Sequence, residues 1–387
     1  MSTDEKLPSS LSSISFSSAG YLGVYHFGVA AFLQAHYDLS TSKLWGCSAG
    51  SLAASVVCFG LNSYEFAEAL IQAAATCGRD ISRMLPSLES VLHERCPHDK
   101  EILQQTEKRL HVALTQVELC RYRAFKKKPR IINTFSSRLN LLQTIRATCH
   151  IPAVGGLSPI RIKIHDRQQF FYDGMLTVPH PHPEQGERET LFISYHPDCQ
   201  CGCTHNPNRL SISPSCKIHP IWVLHPPPTP LFRCLFILGY LDAMRILKQE
   251  KKPIHHAPYI QSSESSLFIH PETTSNQFNL LPIFPLLHKA NHSNISDSNE
   301  SSLQQPSSPF PSIPQPFDEL TDEELINIIQ NTPLLSLKTK LPLTNPAFIL
   351  RLNKCRPILV DLLNQYHDKT CSMWNGKVRG FTERYVL

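Results

Sequence analysis

Apolar and polar positions along residues 13–251 alternate in a pattern that predicts strands and helices in turn. Short apolar segments at 13–16 and 43–45 predict two strands, and the longer segment 24–37 predicts a helix between them. A helix of small residues is predicted at 48–60, directly after the second strand. Further strands are predicted at 110–119, 129–136, 168–173, 190–195 and 218–224, and further helices at 63–77, 140–152 and 231–250. This pattern predicts an α/β domain over residues 14–251.

The chain divides into four parts by composition. Residues 1–13 are predicted to be a disordered tail, and residues 252–316, rich in Ser, Pro, His and Asn, a low-complexity linker. Such segments cannot bury enough apolar surface to offset the loss of chain entropy on folding. Residues 317–387 are predicted to form a mostly helical C-terminal segment. Its first helix should begin at Thr321, with Glu324 completing a capping box.

The net charge and the cysteine content indicate which binding partners and which cellular compartment to expect. The 387 residues carry 37 Lys and Arg against 32 Asp and Glu, a net charge of +5. This excess is too small to indicate nucleic-acid binding but is compatible with an anionic membrane surface. The N-terminus has no apolar signal segment, so the 13 cysteines indicate reduced thiols in a cytoplasmic protein. The apolar run 231–241 is too short to span a bilayer, which leaves peripheral membrane contact.

The strongest chemical signal is the segment Leu44-Trp45-Gly46-Cys47-Ser48-Ala49-Gly50. A serine between Gly46 and Gly50, at the junction of a predicted strand and helix, is typical of a nucleophile elbow. The two glycines allow a sharp turn and close packing of the helix on the strand. Ser48 is therefore predicted to be a nucleophile.

The loop after the first predicted strand, Ser17-Ser18-Ala19-Gly20-Tyr21-Leu22-Gly23, supplies a second signal. It leads into a helix, so its backbone N–H groups and the helix N-terminus can stabilise an anion. Ser48 follows only one strand and one helix, which is too early for the usual α/β-hydrolase order. The elbow should instead lie beside this loop. The predicted oxyanion-hole residues are Ser18, Ala19, Gly20, Tyr21 and Ala49.

At these residues, over roughly 14–250, the chain resembles the patatin-like phospholipases, nearest the adipose triglyceride lipase subgroup. The resemblance implies a three-layer α/β/α fold with a central, mostly parallel sheet. It also implies a Ser–Asp dyad in which Asp173 of "FFYDGML" is the base and Gly174 its turn partner. The implied function is hydrolysis of lipid esters, acylglycerols or phospholipids, at a membrane or lipid-droplet surface. Neither a metal nor another cofactor is expected.

Two departures from the family pattern keep a second hypothesis open, a catalytically weak or inactive lipid-associated scaffold. Ser18 stands where the family usually has glycine, and would be strained if that position required a positive φ. Met175 replaces a small residue after the Asp-Gly pair and could narrow the pocket. A third hypothesis, a Ser–His–Asp hydrolase, requires that one of the 19 histidines be indispensable.

Two further segments carry weaker signals. Residues 196–219 hold Cys and His residues that could bind zinc, but the C-x-C-x-C spacing favours a surface loop with free thiols; the residues are Cys199, Cys201, Cys203, Cys216, His196, His205 and His219. The basic segment 121–130 is predicted to be a solvated hairpin tip, with contact to anionic lipid headgroups as the alternative; its charged residues are Arg121, Arg123, Lys126, Lys127, Lys128 and Arg130.

Overall fold

The structure is a computed structural model. It describes residues 11–77, 90–94, 96, 98–119, 125–152, 155–164, 167–183, 190–196, 210–225, 227–249, 320–340 and 346–385. Residues up to 251 and residues from 317 onward belong to one compact unit. The predicted linker 252–316 and residues 1–10 of the predicted tail lie outside the described residues.

The elements follow one another as an α/β chain with a helical end. The strands are β1 (Ser13–Phe16), β2 (Lys43–Cys47), β3 (Leu110–Leu119), β4 (Phe125–Ile132), β5 (Ile160–Ile164), β6 (Arg167–Asp173), β7 (Thr190–Ile193) and β8 (Ser211–Ile212). The helices before residue 250 are α1 (Gly23–His36), α2 (Ala49–Cys58), α3 (Ser63–Cys77), α4 (Asp99–Thr106), α5 (Arg138–Thr148) and α6 (Thr229–Gln249). The C-terminal helices are α7 (Asp322–Asn331), α8 (Leu334–Lys340), α9 (Pro346–Lys354) and α10 (Arg356–Tyr385).

The eight described strands form one mixed sheet in the order β5-β6-β3-β2-β1-β7-β8, with β4 also paired to β3. The central pairs β3–β2, β2–β1, β1–β7 and β7–β8 are parallel, whereas β4, β5 and β6 join through antiparallel pairs. Ile14 and Phe16 of the central strand are fully buried, as expected for a strand covered on both faces. The fold confirms the predicted α/β class with a mostly parallel central sheet flanked by helices.

β3 organises the region that contains the two motif residues. β4 pairs with β3 from Val112 to Leu119 along one side of it. On the other side β2 pairs with the first half of β3, up to Ala113, and β6 pairs with the second half, from Leu114. β2 and β6 therefore meet end to end along the same side of β3.

α1 and α6 form the helical core on the sheet. α1 is buried from Gly23 to Leu33, because apolar residues surround almost its whole circumference. Its Phe32 ring packs edge-on against Tyr240 of α6, with centroids 5.3 Å apart. Among the helices that the structure describes, none has the length and apolar character needed to cross a bilayer.

The C-terminal helices pack on α3 and α6 through the buried Arg233 and the partly buried Glu68. Arg233 of α6 donates to Glu68 of α3 at 3.0 Å and to the Gln330 carbonyl at 3.0 Å. The other carboxylate oxygen of Glu68 accepts from the Leu334 amide at 2.9 Å. The predicted Thr321 capping box is confirmed at the start of α7. Glu68 and Arg233 thus join α7 and α8 to the α/β domain.

Several predicted elements differ from the structure. The segment 218–224 was expected to be a strand but forms a 3-10 turn, Pro220–Val223, in which the His219 ring accepts from the Ile221 amide at 3.2 Å. Proline favours such a turn because its φ is fixed and it has no N–H for a sheet ladder. The short strands β5 and β8 were not predicted. α5 ends at Thr148, four residues before Pro152.

The basic segment also differs from its predicted turn. Lys126, Lys127 and Lys128 belong to β4, where Lys128 pairs with Glu118 of β3 at 2.8 Å. Residues 121–124 lie outside the described part of the chain. The antiparallel β3–β4 pairing, which runs to Leu119 and Phe125, extends the hairpin further than the apolar pattern indicated.

Candidate active site

Ser48 lies at the junction of β2 and α2, at a sharp backbone turn. Its φ is 54° and its ψ is −130°, a conformation that costs a non-glycine residue about 1–3 kcal/mol. A Cβ on Gly50 would overlap the carbonyl oxygens of Phe16 and Ser17, and one on Gly46 would overlap the backbone of Ser51. Glycine at these two positions therefore allows the elbow to form against β1.

The sheet brings Asp173 to Ser48. Cys47, the last residue of β2, pairs with Ala113 of β3, and Asp173, the last residue of β6, pairs with the next residue, Leu114. Because β2 and β6 end at adjacent positions of the same strand, the residue after β2 meets the residue that ends β6. The Ser48 Oγ donates a hydrogen bond to Asp173 Oδ2 at 2.8 Å.

Asp173 is fully buried, and its environment changes its acidity. Burial raises the pKa of the Asp173 carboxyl from 3.8 to about 7, because desolvation penalises the charged form. Hydrogen bonds from the Met175 amide to Oδ1, at 2.8 Å, and from Ser48 favour the carboxylate and oppose part of this rise. A carboxyl with this pKa can both take up and release a proton near neutral pH.

Two threonines, which the sequence analysis missed, hold the backbone of the pair. Thr148 Oγ1, at the end of α5, accepts from the Ser48 amide at 2.9 Å and donates to the Ala113 carbonyl at 2.6 Å. Thr115 Oγ1 donates to the Asp173 carbonyl at 2.8 Å. The Thr115 contact spans 58 positions of the chain and the Thr148 contact spans 100, so no local sequence pattern could indicate them.

The glycine-rich loop lies beside the start of α2. Gly20–Leu22 forms a 3-10 turn that leads into α1, and a Cβ on Gly23 would come within 2.9 Å of Ala49 Cβ. Among the non-glycine residues that the structure describes, only Ser48 and Lys108 have a positive φ, so Ser18 does not carry the strain considered from the sequence. The Ser18 amide donates to the Pro179 carbonyl at 2.7 Å. That amide is therefore engaged within the fold.

The structure gives no support to a Ser–His pair. No histidine ring within the described ranges hydrogen bonds to Ser48 Oγ. His150 contacts the pair through its backbone, since its carbonyl accepts from the Asp173 amide at 2.9 Å. Its ring pairs with the Ser158 carbonyl at 2.9 Å. The described residues therefore favour a Ser–Asp arrangement.

The predicted Cys- and His-containing loop falls mostly outside the described residues, including Cys199, Cys201, Cys203 and His205. Of its other members, Cys216 is buried, and burial raises the pKa of its thiol to about 12. Within the part of the chain that is described, no group of three or more His, Cys, Asp or Glu side chains could hold a metal ion.

No family model matches the sequence. The chain is 31% identical over 193 residues to human patatin-like phospholipase domain-containing protein 4, covering 46% of this chain and 70% of that protein. It is 30% identical over 159 residues to human patatin-like phospholipase domain-containing protein 2, covering 38% of this chain and 29% of that protein.

A solved structure, VipD from Legionella pneumophila, is 12% identical with a TM-score of 0.32, and the match covers 61% of this chain and 66% of that one. A score this low supports no structural assignment.

The serine elbow and the buried carboxyl beside it lie on a mixed, mostly parallel α/β sheet. The match to human protein 4 covers most of that relative at 31% identity. The chain belongs to the patatin-like phospholipase domain family, a family of lipid acyl hydrolases.

Proposed function

We propose that the protein is a serine lipid acyl hydrolase that cleaves ester bonds of acylglycerols or phospholipids through Ser48 and Asp173. The observation that carries this proposal is the 2.8 Å hydrogen bond from Ser48 Oγ to the buried Asp173 carboxylate. The names of the curated relatives support a lipid ester as the substrate.

In the proposed reaction Ser48 Oγ attacks the ester carbonyl carbon while its proton passes to Asp173. The tetrahedral intermediate collapses, the alcohol leaves with the proton from Asp173, and an acyl-enzyme remains. Water then attacks the acyl carbon and gives a proton to Asp173. Release of the fatty acid returns that proton to Ser48 Oγ, so the enzyme is regenerated unchanged.

We assign the oxyanion hole to backbone amides of the glycine-rich loop and the start of α2. The amides of Ala19, Gly20 and Tyr21, with that of Ala49, are the proposed donors. Ser18 takes part by holding the loop, because its amide donates to Pro179. Loss of one such donor typically costs about 3 kcal/mol of transition-state stabilisation.

The two departures from the family pattern leave the backbone of the proposed site intact. Ser18 is not in a positive-φ conformation, and the residue that follows the Asp-Gly pair keeps its backbone hydrogen bond to Asp173, although its side chain is methionine. We further propose that the enzyme acts in the cytoplasm at a membrane or lipid-droplet surface. The exposed basic residues of β4, Lys126, Lys127 and Arg130, are suited to anionic headgroups.

A fluorophosphonate probe and a panel of lipid esters test the proposal. The wild type should be labelled and should release fatty acid, whereas Ser48→Ala should lose both and Asp173→Asn should lose hydrolysis. Ser55→Ala, at another fully buried serine of α2 that does not contact Ser48, is the matched control for probe specificity and should still be labelled. A folded wild type that shows neither labelling nor hydrolysis would instead support the hypothesis of an inactive, lipid-associated scaffold.

A further inference from the structure

The segment 215–223 connects the C-terminal helix α10 with the glycine-rich loop. Its last residue, Val223, lies directly against Gly20, whose φ is 53°. A Cβ on Gly20 would overlap both the carbonyl oxygen and the Cγ1 atom of Val223, so the backbone and the side chain of Val223 lie directly against Gly20. Any displacement of Val223 must therefore move Gly20 or open a gap beside it.

α10 holds the start and middle of this segment. Arg356, the first residue of α10, donates to Asp242 at 2.9 Å. The same fully buried carboxylate accepts from the Ser215 hydroxyl at 2.8 Å and from the Ser215 amide at 3.1 Å. Further along, the Asn364 side chain accepts from the Lys217 amide at 2.7 Å.

α10 also holds the residue next to Val223. The Trp222 indole is 1% exposed, and its Nε1 donates to Thr370 Oγ1 at 3.3 Å. The indole packs against the rings of Tyr366 and His367, at 5.5 and 6.3 Å between centroids. Thr370 in turn donates to the Tyr366 carbonyl at 2.8 Å, which fixes its hydroxyl as the acceptor for the indole.

We infer that α10 positions the oxyanion loop, acting from Thr370 through Trp222 and Val223 on Gly20. This inference rests on the proposed function, because Gly20 matters to the reaction only if its amide or its neighbours bind the oxyanion. Oxyanion donors must lie about 2.7–3.1 Å from the developing charge, so a displacement of well under 1 Å at Gly20 weakens them. Thr370 and Trp222 are positioning residues, and through them the C-terminal segment contributes to stabilisation of the oxyanion.

The test replaces the Thr370 hydroxyl in the full chain. Thr370→Val keeps the shape of the side chain but leaves the Trp222 N–H buried without its acceptor. We expect kcat for a soluble ester to fall about tenfold or more with KM unchanged, the pattern for an interaction made only in the transition state. A trifluoromethyl ketone, which forms a tetrahedral oxyanion on Ser48, should bind more weakly by the same factor.

Two controls separate positioning from general damage. Thr370→Ser keeps the hydroxyl and should retain wild-type kcat and inhibitor affinity, and Gln365→Ala, at an exposed position of α10, should do the same. If Thr370→Val does not fold, Trp222→Phe serves instead, since it keeps an aromatic ring and removes the donor.

Wild-type kcat in a folded Thr370→Val or Trp222→Phe variant would overturn the inference. A fall in kcat without loss of inhibitor affinity would overturn it too, because the effect would then not pass through the oxyanion. An inactive wild type would instead remove the proposed function on which the inference rests.

Discussion

Replacing Asp173 by asparagine should abolish hydrolysis and yet stabilise the fold at neutral and alkaline pH. Asparagine has nearly the same shape, can accept from the Met175 amide and can pair with Ser48. It cannot take a proton from Ser48, so the hydrolytic rate should fall to the level of Ser48→Ala. Asparagine also carries no charge, whereas the ionised Asp173 of the wild type destabilises the fold at high pH because its charge is buried.

The size of the stabilisation follows from the acidity of the buried carboxyl. Burial raises the pKa of Asp173 from 3.8, its value when solvated, to about 7. Below pH 3.8 the carboxyl is neutral in both folded and unfolded chains. As the pH rises from there to 7, the unfolded chain ionises first, and the folded state loses about 1.4 kcal/mol for each pH unit. The wild type should therefore lose about 4 kcal/mol that the asparagine variant keeps.

Urea unfolding followed by tryptophan fluorescence between pH 4 and pH 8.5 measures this effect. The difference in unfolding free energy between Asp173→Asn and the wild type should grow with pH and level off above pH 7. Other titrating groups are common to both proteins and cancel in the difference. Asp361→Asn, at an exposed aspartate of α10, is the matched control and should follow the wild type at each pH. A difference that stays constant with pH would refute the account of Asp173 as a desolvated base.

Three further results are expected. The hydrolytic rate of the wild type should rise through pH 7 to a plateau, because only ionised Asp173 accepts the proton; a flat profile from pH 5.5 to 8.5 would contradict this. Thr148→Val should cost about 1–3 kcal/mol in urea unfolding, since it leaves the Ser48 amide without its acceptor, while Thr148→Ser should be near wild type; equal losses would argue against that hydrogen bond. Lys126→Glu/Lys127→Glu should weaken sedimentation with phosphatidylserine vesicles at least tenfold and leave binding to neutral vesicles unchanged; unaltered binding to both would remove β4 from the proposed membrane contact.

The local sequence was sufficient to predict the parts of the candidate site that depend on backbone shape. Gly46 and Gly50 indicated a turn with Ser48 at its apex, and the structure has that turn. The residues that hold the backbone of Ser48 and Asp173 could not be predicted in the same way. Thr148 and Thr115 contact it only because the sheet and α5 bring distant segments together, and neither lies in a recognisable motif.

The fold shows the same division between local and distant causes. The segment "IHPIWVL" has the apolar content of a strand, but Pro220 and the packing of Trp222 on α10 give it a 3-10 turn instead. β8 is two residues long, too short to produce a periodic signal. The first helix of the C-terminal segment was predicted from its capping box, whereas the attachment of this segment through Arg233 and Glu68 depends on tertiary contacts.

β2 and β6 meet end to end along β3, so the register of these two strands on β3 sets the distance between Ser48 and Asp173. A slip of β6 by a single residue would turn Asp173 to the opposite face of the sheet and separate it from Ser48. Insertions or deletions in the long connections outside the hairpins do not by themselves shift that register. Homologues could therefore vary widely in loop length, and even in the segments that follow the sheet, while the hydroxyl and the carboxylate stay in contact.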